Sequence, residues 1–397
     1  MSILTINAGS SSIKFALYPI HAKQIESALI SGMVEGLQSG GEVFLSWRKD
    51  KETARFALNV PKDASNSIRF QTALHALQSL FEEKTQGVKI LGIAHRVVHG
   101  GSFFREAIIV DETRLEQLRS LCPLAPLHQP HNLAGIEMFA QTFPDVPQVA
   151  CFDTAFHADV PEEEYLFAIP KSLSQEGVRR YGFHGLSYHY VMEALQRHSQ
   201  RANGRTVMAH LGNGASLCAA LAGKSQATSM GFSALDGLMM GTRSGSIDPG
   251  VILHLLAQGW SQQDVQRLLY SQSGLLGVSN VSADMRSLRQ SDEPDAALAI
   301  RLFTYRVVRE IGAMIATIGG IDVLAFTGGI GEHDSQLRED VCKRLHYLGV
   351  QLDEEKNRSE NGCKIAALHL SSSAVEIYLV PTDEGRVAAG AAAKLLV

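Results

Sequence analysis

Arginines, histidines and carboxylates set among glycines are where this sequence could do chemistry. Arg96 lies in HRVVHGG and Arg243 in MGTRSGS. Arginine suits a carboxylate or a phosphate, because its planar guanidinium donates two parallel hydrogen bonds. Pairing with a surface acid is the plain alternative for any one arginine. An arginine flanked by glycine on a strand-end loop is better placed for a ligand. His184 stands in YGFHG, between Gly182 and Gly185, and glycines on both sides let a ligand approach its ring. The other grouped histidines (95 and 99, 128 and 131, 189) lack metal-site spacing: there is no HExxH and no cysteine partner. Hydrogen bonding within the fold is the preferred reading for His95, His99 and His189. Asp153 and Glu384 follow the apolar runs 149–152 and 377–381. An acid at the carboxyl end of a strand in an α/β sheet lies where ligands bind. Helix capping or dipole compensation is the alternative for both.

Three small-residue segments, 7–12, 212–216 and 327–332, each follow an apolar run. Backbone amides in such turns can cradle phosphate oxygens, since no side chain blocks the approach. Tight turning alone is the bland reading for any one of them. Several known motifs are excluded. Gly223-Lys224-Ser225 imitates the end of a Walker A loop, but Cys218 stands where its first glycine belongs. The 328–331 stretch lacks G-x-G-x-x-G spacing. Ser11-Ser12-Ile13-Lys14 matches S-x-x-K, but its S-D-N and K-T-G companions are missing, as is G-x-S-x-G.

The elements that must position these residues alternate between strand and helix patterns. Ile3 to Ile6 and Ile13 to Tyr18 read as a hairpin around a small-residue turn. Residues 70, 73, 74, 77, 80 and 81 form one apolar helical face. Ile90 to Ala94 is a strand running into HRVVHGG, and Val149 to Phe152 a strand stopping at Asp153. Val207 to Leu211 and Ser216 to Leu221 restart the pattern. Aligned on Ser12 and Ser216, this second hairpin resembles the first, which suggests two related domains. A long helix carries Ile300, Phe303, Val307, Ile311, Met314 and Ile318 on one stripe and ends at Gly319-Gly320. Val323 to Phe326 and Ile377 to Val380 are strands, 381–385 a turn, and Val387 to Leu396 a closing helix.

Composition sets the outer bounds. At 397 residues, 45% hydrophobic and 19% charged, the chain is long enough for two or three domains with substantial cores. Thirty-six Lys and Arg against 41 Asp and Glu leave a net charge of −5, with no basic field for nucleic acid and no polybasic membrane patch. Five scattered cysteines make neither a disulfide framework nor a zinc ribbon. The opening residues do not read as a signal peptide, and the longest weakly polar run is too short to span a bilayer. The expectation is a reduced, soluble, cytoplasmic α/β protein.

Taken together these segments resemble the acetate kinase family of the acetokinase group. The matches run nearly end to end: INAGSSSIKF (6–15), HRVVHGG (95–101), PLAPLH (123–128), FDTAFH (152–157), RRYGFHG (179–185), HLGNGAS (210–216), GLMMGTRSG (237–245), FTGGIGE (326–332) and PTDEG (381–385). The resemblance implies a two-domain actin, Hsp70 and sugar-kinase-like (ribonuclease H-like) α/β fold with the active site in an interdomain cleft. The expected division is residues 1–150, completed by a C-terminal helix 385–397, and a nucleotide-binding and dimerisation domain 151–384. The implied reaction is reversible, Mg²⁺-dependent in-line phosphoryl transfer from ATP to acetate, with Mn²⁺ as the alternative metal and a homodimer as the assembly.

The resemblance also implies residue roles. Asn7 and Glu384 place the metal. Ser10, Ser12 and Lys14 belong to the phosphate-side hairpin. Arg96 and Arg243 flank the carboxylate and the transferring phosphoryl group, Asp153 is the essential acid, His184 contacts the phosphoryl group and His128 lies close by. His210, Leu211, Gly212, Asn213 and Gly214, with Gly329, Ile330, Gly331, Glu332 and His333, line the nucleotide, and Asp284, Met285 and Arg286 hold its adenosine. Val98, Leu127, Phe183 and Ala234 match the pocket for the substrate's alkyl group. Some positions depart from the family pattern. Ser233-Ala234-Leu235-Asp236 stands for the usual Thr-Pro-Leu-Glu, Ser246 for Asp, Leu186 for Thr and His333 for Asn. Ala234 loosens the alkyl pocket, while Val98 argues for acetate over propionate. The competing readings are a propionate-preferring kinase, a sugar kinase, and a non-catalytic ATP-dependent scaffold on the same fold.

Overall fold

The computed structural model describes residues 1–397 except Ser10, Lys23, Ser39, Lys62 and Gln86. The chain forms two compact units: residues 1–155 with 383–397, and residues 156–382.

In the first unit the strand Ser2–Ala8 pairs antiparallel with Ser12–His21, which pairs in turn with Ile30–Glu35. On its other side Ser2–Ala8 pairs parallel with Ile90–Val97, and that strand with Gln148–Phe152. Among the described residues the second unit repeats this order. Arg205–Leu211 pairs antiparallel with Ala215–Leu221, which pairs with Lys224–Thr228, and pairs parallel with Val323–Thr327, followed by Glu376–Leu379. Each unit therefore contains a hairpin and third strand extended by two parallel strands, within a nine-stranded sheet in the first unit and a six-stranded sheet in the second. Matching the hairpins by their last ladder pairs, Ala8–Ile13 and Leu211–Ala215, sets Ile13 against Ala215. That differs by two residues from the alignment of Ser12 on Ser216. A shift of two keeps every side chain on its own face.

Each sheet is made of buried apolar strands against helices. Leu74, Leu77, Leu80 and Phe81 of the helix Asn66–Lys84 join Leu4, Ile6 and Phe15 in the first core. The long helix Pro294–Thr317 buries the expected stripe. Its end is a Schellman motif: Gly319 has φ +71°, its N–H donates to Ala316 O, and that of Gly320 to Ile315 O.

Two local expectations are corrected. The segment 327–332 is not a loop: Gly328–His333 is a short helix directly after the strand. Gly328 takes φ +75°, and a side chain there would strike the Leu211 backbone. The closing helix begins at Glu384 rather than Val387, because Asp383 caps it by accepting from Arg386 N.

Candidate functional site

In the first unit Arg96, next to last in its strand, lies beside Asp153, which follows the neighbouring strand. Asp153 is buried, and its carboxylate accepts from Arg96 Nη2 at 2.6 Å and from Nε at 3.0 and 3.1 Å. Glu384, in the first turn of the closing helix, approaches Arg96 Nη1 at 3.4 Å. Burial alone disfavours the Arg96 cation, but the two carboxylates outweigh it and hold its pKa above the ordinary value. Of the alternatives for Glu384, the cap is Asp383 next door, which also accepts a 2.6 Å hydrogen bond from Tyr18, while Glu384 stands in the first turn, where an acid compensates the dipole.

The loop after Arg96 is pinned to the helix Gln129–Thr142. Val98 N donates to Asn132 Oδ1, His99 N to Gln129 Oε1, and Gln129 Nε2 returns to His99 O. Asn132 Nδ2 donates to Ala8 O, so one side chain ties the first strand's end to Val98. Leu127 is exposed, and His128 starts the same helix. Val98, Leu127 and His128 are thus gathered around one helix start. Asn7 lies one residue before the end of the first strand, opposite Lys14, which is exposed, and Ser12 opens the second strand half-buried. Asn7 and Thr5 share a face of the strand, and Thr5 lies against Gly385, so Glu384 starts its helix over the face carrying Asn7. Ser10 lies outside the described residues. Among the described residues no cluster of three His, Cys, Asp or Glu side chains could hold a metal. Asn7 and Glu384 each offer a hard oxygen donor and would suit a hard divalent cation.

In the second unit His184 is the left-handed residue (φ +57°) that starts the helix Gly185–His198. Its Nδ1 lies 2.8 Å from Ser216 Oγ, which also meets the Tyr188 hydroxyl. The His184 ring stacks on His210 at 4.2 Å, and His210 Nδ1 lies 2.8 Å from Ser187 Oγ. A methyl group on Gly214 would lie 3.4 Å from His184 Nε2 and 3.9 Å from Arg243 Nη1, so the turn, the imidazole and the guanidinium converge. Arg243 Nη1 donates to Ala234 O at 3.0 Å. Two positions that depart from the family pattern meet here: Ser246 Oγ donates to Asp236 Oδ1 at 2.7 Å.

A cavity of about 750 Å³ gathers three distant segments: Gly212 and Asn213, Asp284 to Arg286, and Gly329, Ile330 and His333. Asp284 caps a short helix by accepting from Arg286 N, and the Arg286 side chain holds its carboxyl below the usual range. Leu211 is buried in its strand, Phe183 is buried, and Gly331 packs against Ala209 O. The Glu332 carboxylate accepts from Gly328 N and Thr382 N, bracing the ends of two adjacent strands. Arg289 and Asp334, an ion pair on the cavity wall, went unnoticed in the sequence. So did Arg338, which is fully buried and donates to Asn357 and to the carbonyls of Gly331 and Glu332. Ser216 was already inside HLGNGAS; a buried arginine has no local signature.

Twinned hairpin-and-parallel-strand units carrying glycine turns, strand-end and loop arginines and a nucleotide-sized cavity define a phosphotransferase of the actin and sugar-kinase-like architecture. The Acetokinase family model matches residues 2–390. An acetate kinase of Rhodopseudomonas palustris is 46% identical over 385 residues, 96% of this chain and 95% of that protein. The crystal structure of Porphyromonas gingivalis acetate kinase superposes with a TM-score of 0.87 at 34% identity, over all of both chains. A propionate kinase from Francisella tularensis gives 0.88 at 35% identity over 98% of each. The chain belongs to the acetokinase family.

Proposed function

We propose that this protein is an acetate kinase, transferring the γ-phosphoryl group of ATP reversibly to acetate to give acetyl phosphate and ADP. The observation that carries the reading is the convergence of His184 Nε2 and the Arg243 guanidinium on Gly214, next to the cavity-lining Asn213. Donors fixed in this way stabilise charge on the oxygens of a transferring phosphoryl group. Relatives named acetate kinase support the choice of acceptor.

A carboxylic acid of pKa ~4–5 is ionised at neutral pH and needs no strong general base. The three contacts from Arg96 to Asp153 support an orienting role for that acid. Arg96 is assigned to the acetate carboxylate, Arg243 and His184 to the phosphoryl group, and His128 to the same reaction. The transfer is direct and in line. ATP brings a divalent cation, read as Mg²⁺, with Asn7 and Glu384 as its protein ligands; when bound it supplies charge neutralisation at the phosphates. Asp284, Met285 and Arg286 take the adenosine.

Val98, Leu127, Phe183 and Ala234 set the acyl size, with acetate preferred, propionate secondary and butyrate poor. A structural neighbour named propionate kinase supports the secondary substrate. The assembly is a homodimer. The helix Pro249–Ala257 supports this, since none of its residues is buried and Leu253 is 68% exposed, with Val251, Leu256 and nearby Trp260 also bare. No helix is long and apolar enough to cross a membrane. ATP as the substrate supports the cytoplasm as its location.

Hydroxamate capture of acyl phosphate from ATP, acetate and Mg²⁺ tests the proposal, run beside Arg96→Ala and Arg243→Ala. Acetohydroxamate that falls about 10³-fold in either variant is expected. ATP binding with no acyl phosphate would favour the scaffold reading. A phosphoenzyme that reacts with acetate at the turnover rate would overturn direct transfer.

A further inference from the structure

His157 lies outside every role assigned above, yet it is buried beneath the loop that presents His184. Its ring is packed against Tyr188 at 5.6 Å and against Phe156. A methyl group on Gly182 would come within 2.6 Å of His157 Cδ2, so the glycine lets the loop settle directly on the imidazole.

The hydrogen bonds around His157 have one consistent direction. Phe183 O, 3.0 Å from His157 Nε2, can only accept, so Nε2 carries the proton. Burial pushes the His157 pKa down to about 4, which leaves the ring neutral at pH 7 and Nδ1 bare. Ser225 Oγ, 2.8 Å from Nδ1, must then donate. Cys218 Sγ lies 3.4 Å from Ser225 Oγ and can donate in turn; Ala219 O, at 3.7 Å, is its more distant acceptor. Burial raises the Cys218 pKa to about 12, so the thiol keeps its proton. The chain runs from thiol to hydroxyl to imidazole and ends on the carbonyl immediately before His184.

That carbonyl matters because His184 adopts φ +57°, a left-handed conformation rare for a residue with a side chain. Fixing the preceding peptide plane limits how this residue can turn. We propose that His157 is a positioning residue for phosphoryl transfer. It clamps the Phe183 carbonyl so that His184 Nε2 faces Gly214 and Arg243, and Ser225 and Cys218 select the required tautomer. The proposal rests on the reading that His184 acts in the transfer.

The test compares His157→Leu, His157→Gln and Ser225→Ala with His184→Gln in steady-state kinetics. Glutamine carries an N–H donor close to the place of Nε2, whereas leucine carries none. His157→Leu is expected to lower kcat about tenfold to a hundredfold with both KM values nearly unchanged, since a small misplacement of a reacting group has that scale of effect. His157→Gln should recover most of the loss, and Ser225→Ala should fall between. If His184→Gln keeps wild-type kcat, the role of His184 fails and the clamp with it. If His184→Gln is slow but His157→Leu is not, the clamp alone fails. Nitrogen-15 NMR of the wild-type protein gives a reading independent of variant folding. A neutral His157 protonated at Nε2 is expected, and a proton on Nδ1 alone would overturn the proposal.

Discussion

Arg96 and Asp153 are 57 residues apart in sequence and are joined side by side, Nε and Nη2 of the one against both carboxylate oxygens of the other. Asp153→Asn keeps the shape and removes the charge. A largely buried guanidinium that keeps Glu384 but loses its closer carboxylate should cost about 3 kcal/mol of stability or less. The reaction should slow by about 10³ in kcat, because the guanidinium loses its fixed aim. Steady-state kinetics together with a thermal melt check both. A kcat within tenfold of wild type would remove Asp153 from the machinery.

Val98 is held by its backbone to Asn132, so its side chain can be shortened without moving the loop. Val98→Ala should raise the ratio of kcat/KM for propionate to that for acetate by about tenfold, since one methylene in an apolar pocket carries about 1–3 kcal/mol. A competition assay with both acids reads the ratio directly. No change would place the acyl group elsewhere.

Arg338 donates to the carbonyls of Gly331 and Glu332, in the short helix that lines the cavity assigned to the nucleotide. Arg338→Met removes the side-chain donor to both carbonyls, at about 1–3 kcal/mol for the buried Gly331 oxygen. The KM for ATP is expected to rise several-fold while that for acetate stays put. Equal effects on both substrates would mean general loosening instead.

Glu384 is shared between Arg96 and the assigned metal position. Chelation with EDTA should abolish activity, and added Mg²⁺ should restore it. Glu384→Gln should raise the Mg²⁺ concentration for half-maximal rate at least about tenfold, since a neutral amide is a poorer ligand for a hard cation. An unchanged metal dependence would move the site.

His95, His99 and His157 are each lowered to about 4 by burial. Their folded pKa lies below the unfolded value of about 6.5. The unfolded chain therefore binds more protons between those values, and stability rises with pH through the window. Stability from these groups is full above about pH 6.5 and is lost as the pH falls toward 4, by up to about 3 kcal/mol per histidine. Melting temperatures in buffers free of carboxylic acids should drop steeply from pH 6.5 to 4.5. A flat profile there would mean that the rings are protonated in place.

The local signals in the sequence were periodicity and composition, and they marked what is local. Apolar runs announced the hairpins, the helical stripe from Ile300 to Met314, and the Gly319-Gly320 stop, because each depends on neighbours within a few residues. The motifs likewise pointed to Arg96, Asp153, His184 and Arg243. Tertiary structure alone decided which of these touch. The parallel pairing of Ile90–Val97 with Gln148–Phe152 sets Asp153 on Arg96, and no spacing in the chain encodes that register. The fate of Glu332 was also decided there: it braces two strand ends that meet only after the sheet forms. Arg338 was invisible for the same reason, and His157, although inside FDTAFH, carried no local sign of what it holds. A buried polar side chain is recognisable only by the carbonyls and hydroxyls around it, and those are delivered by distant segments.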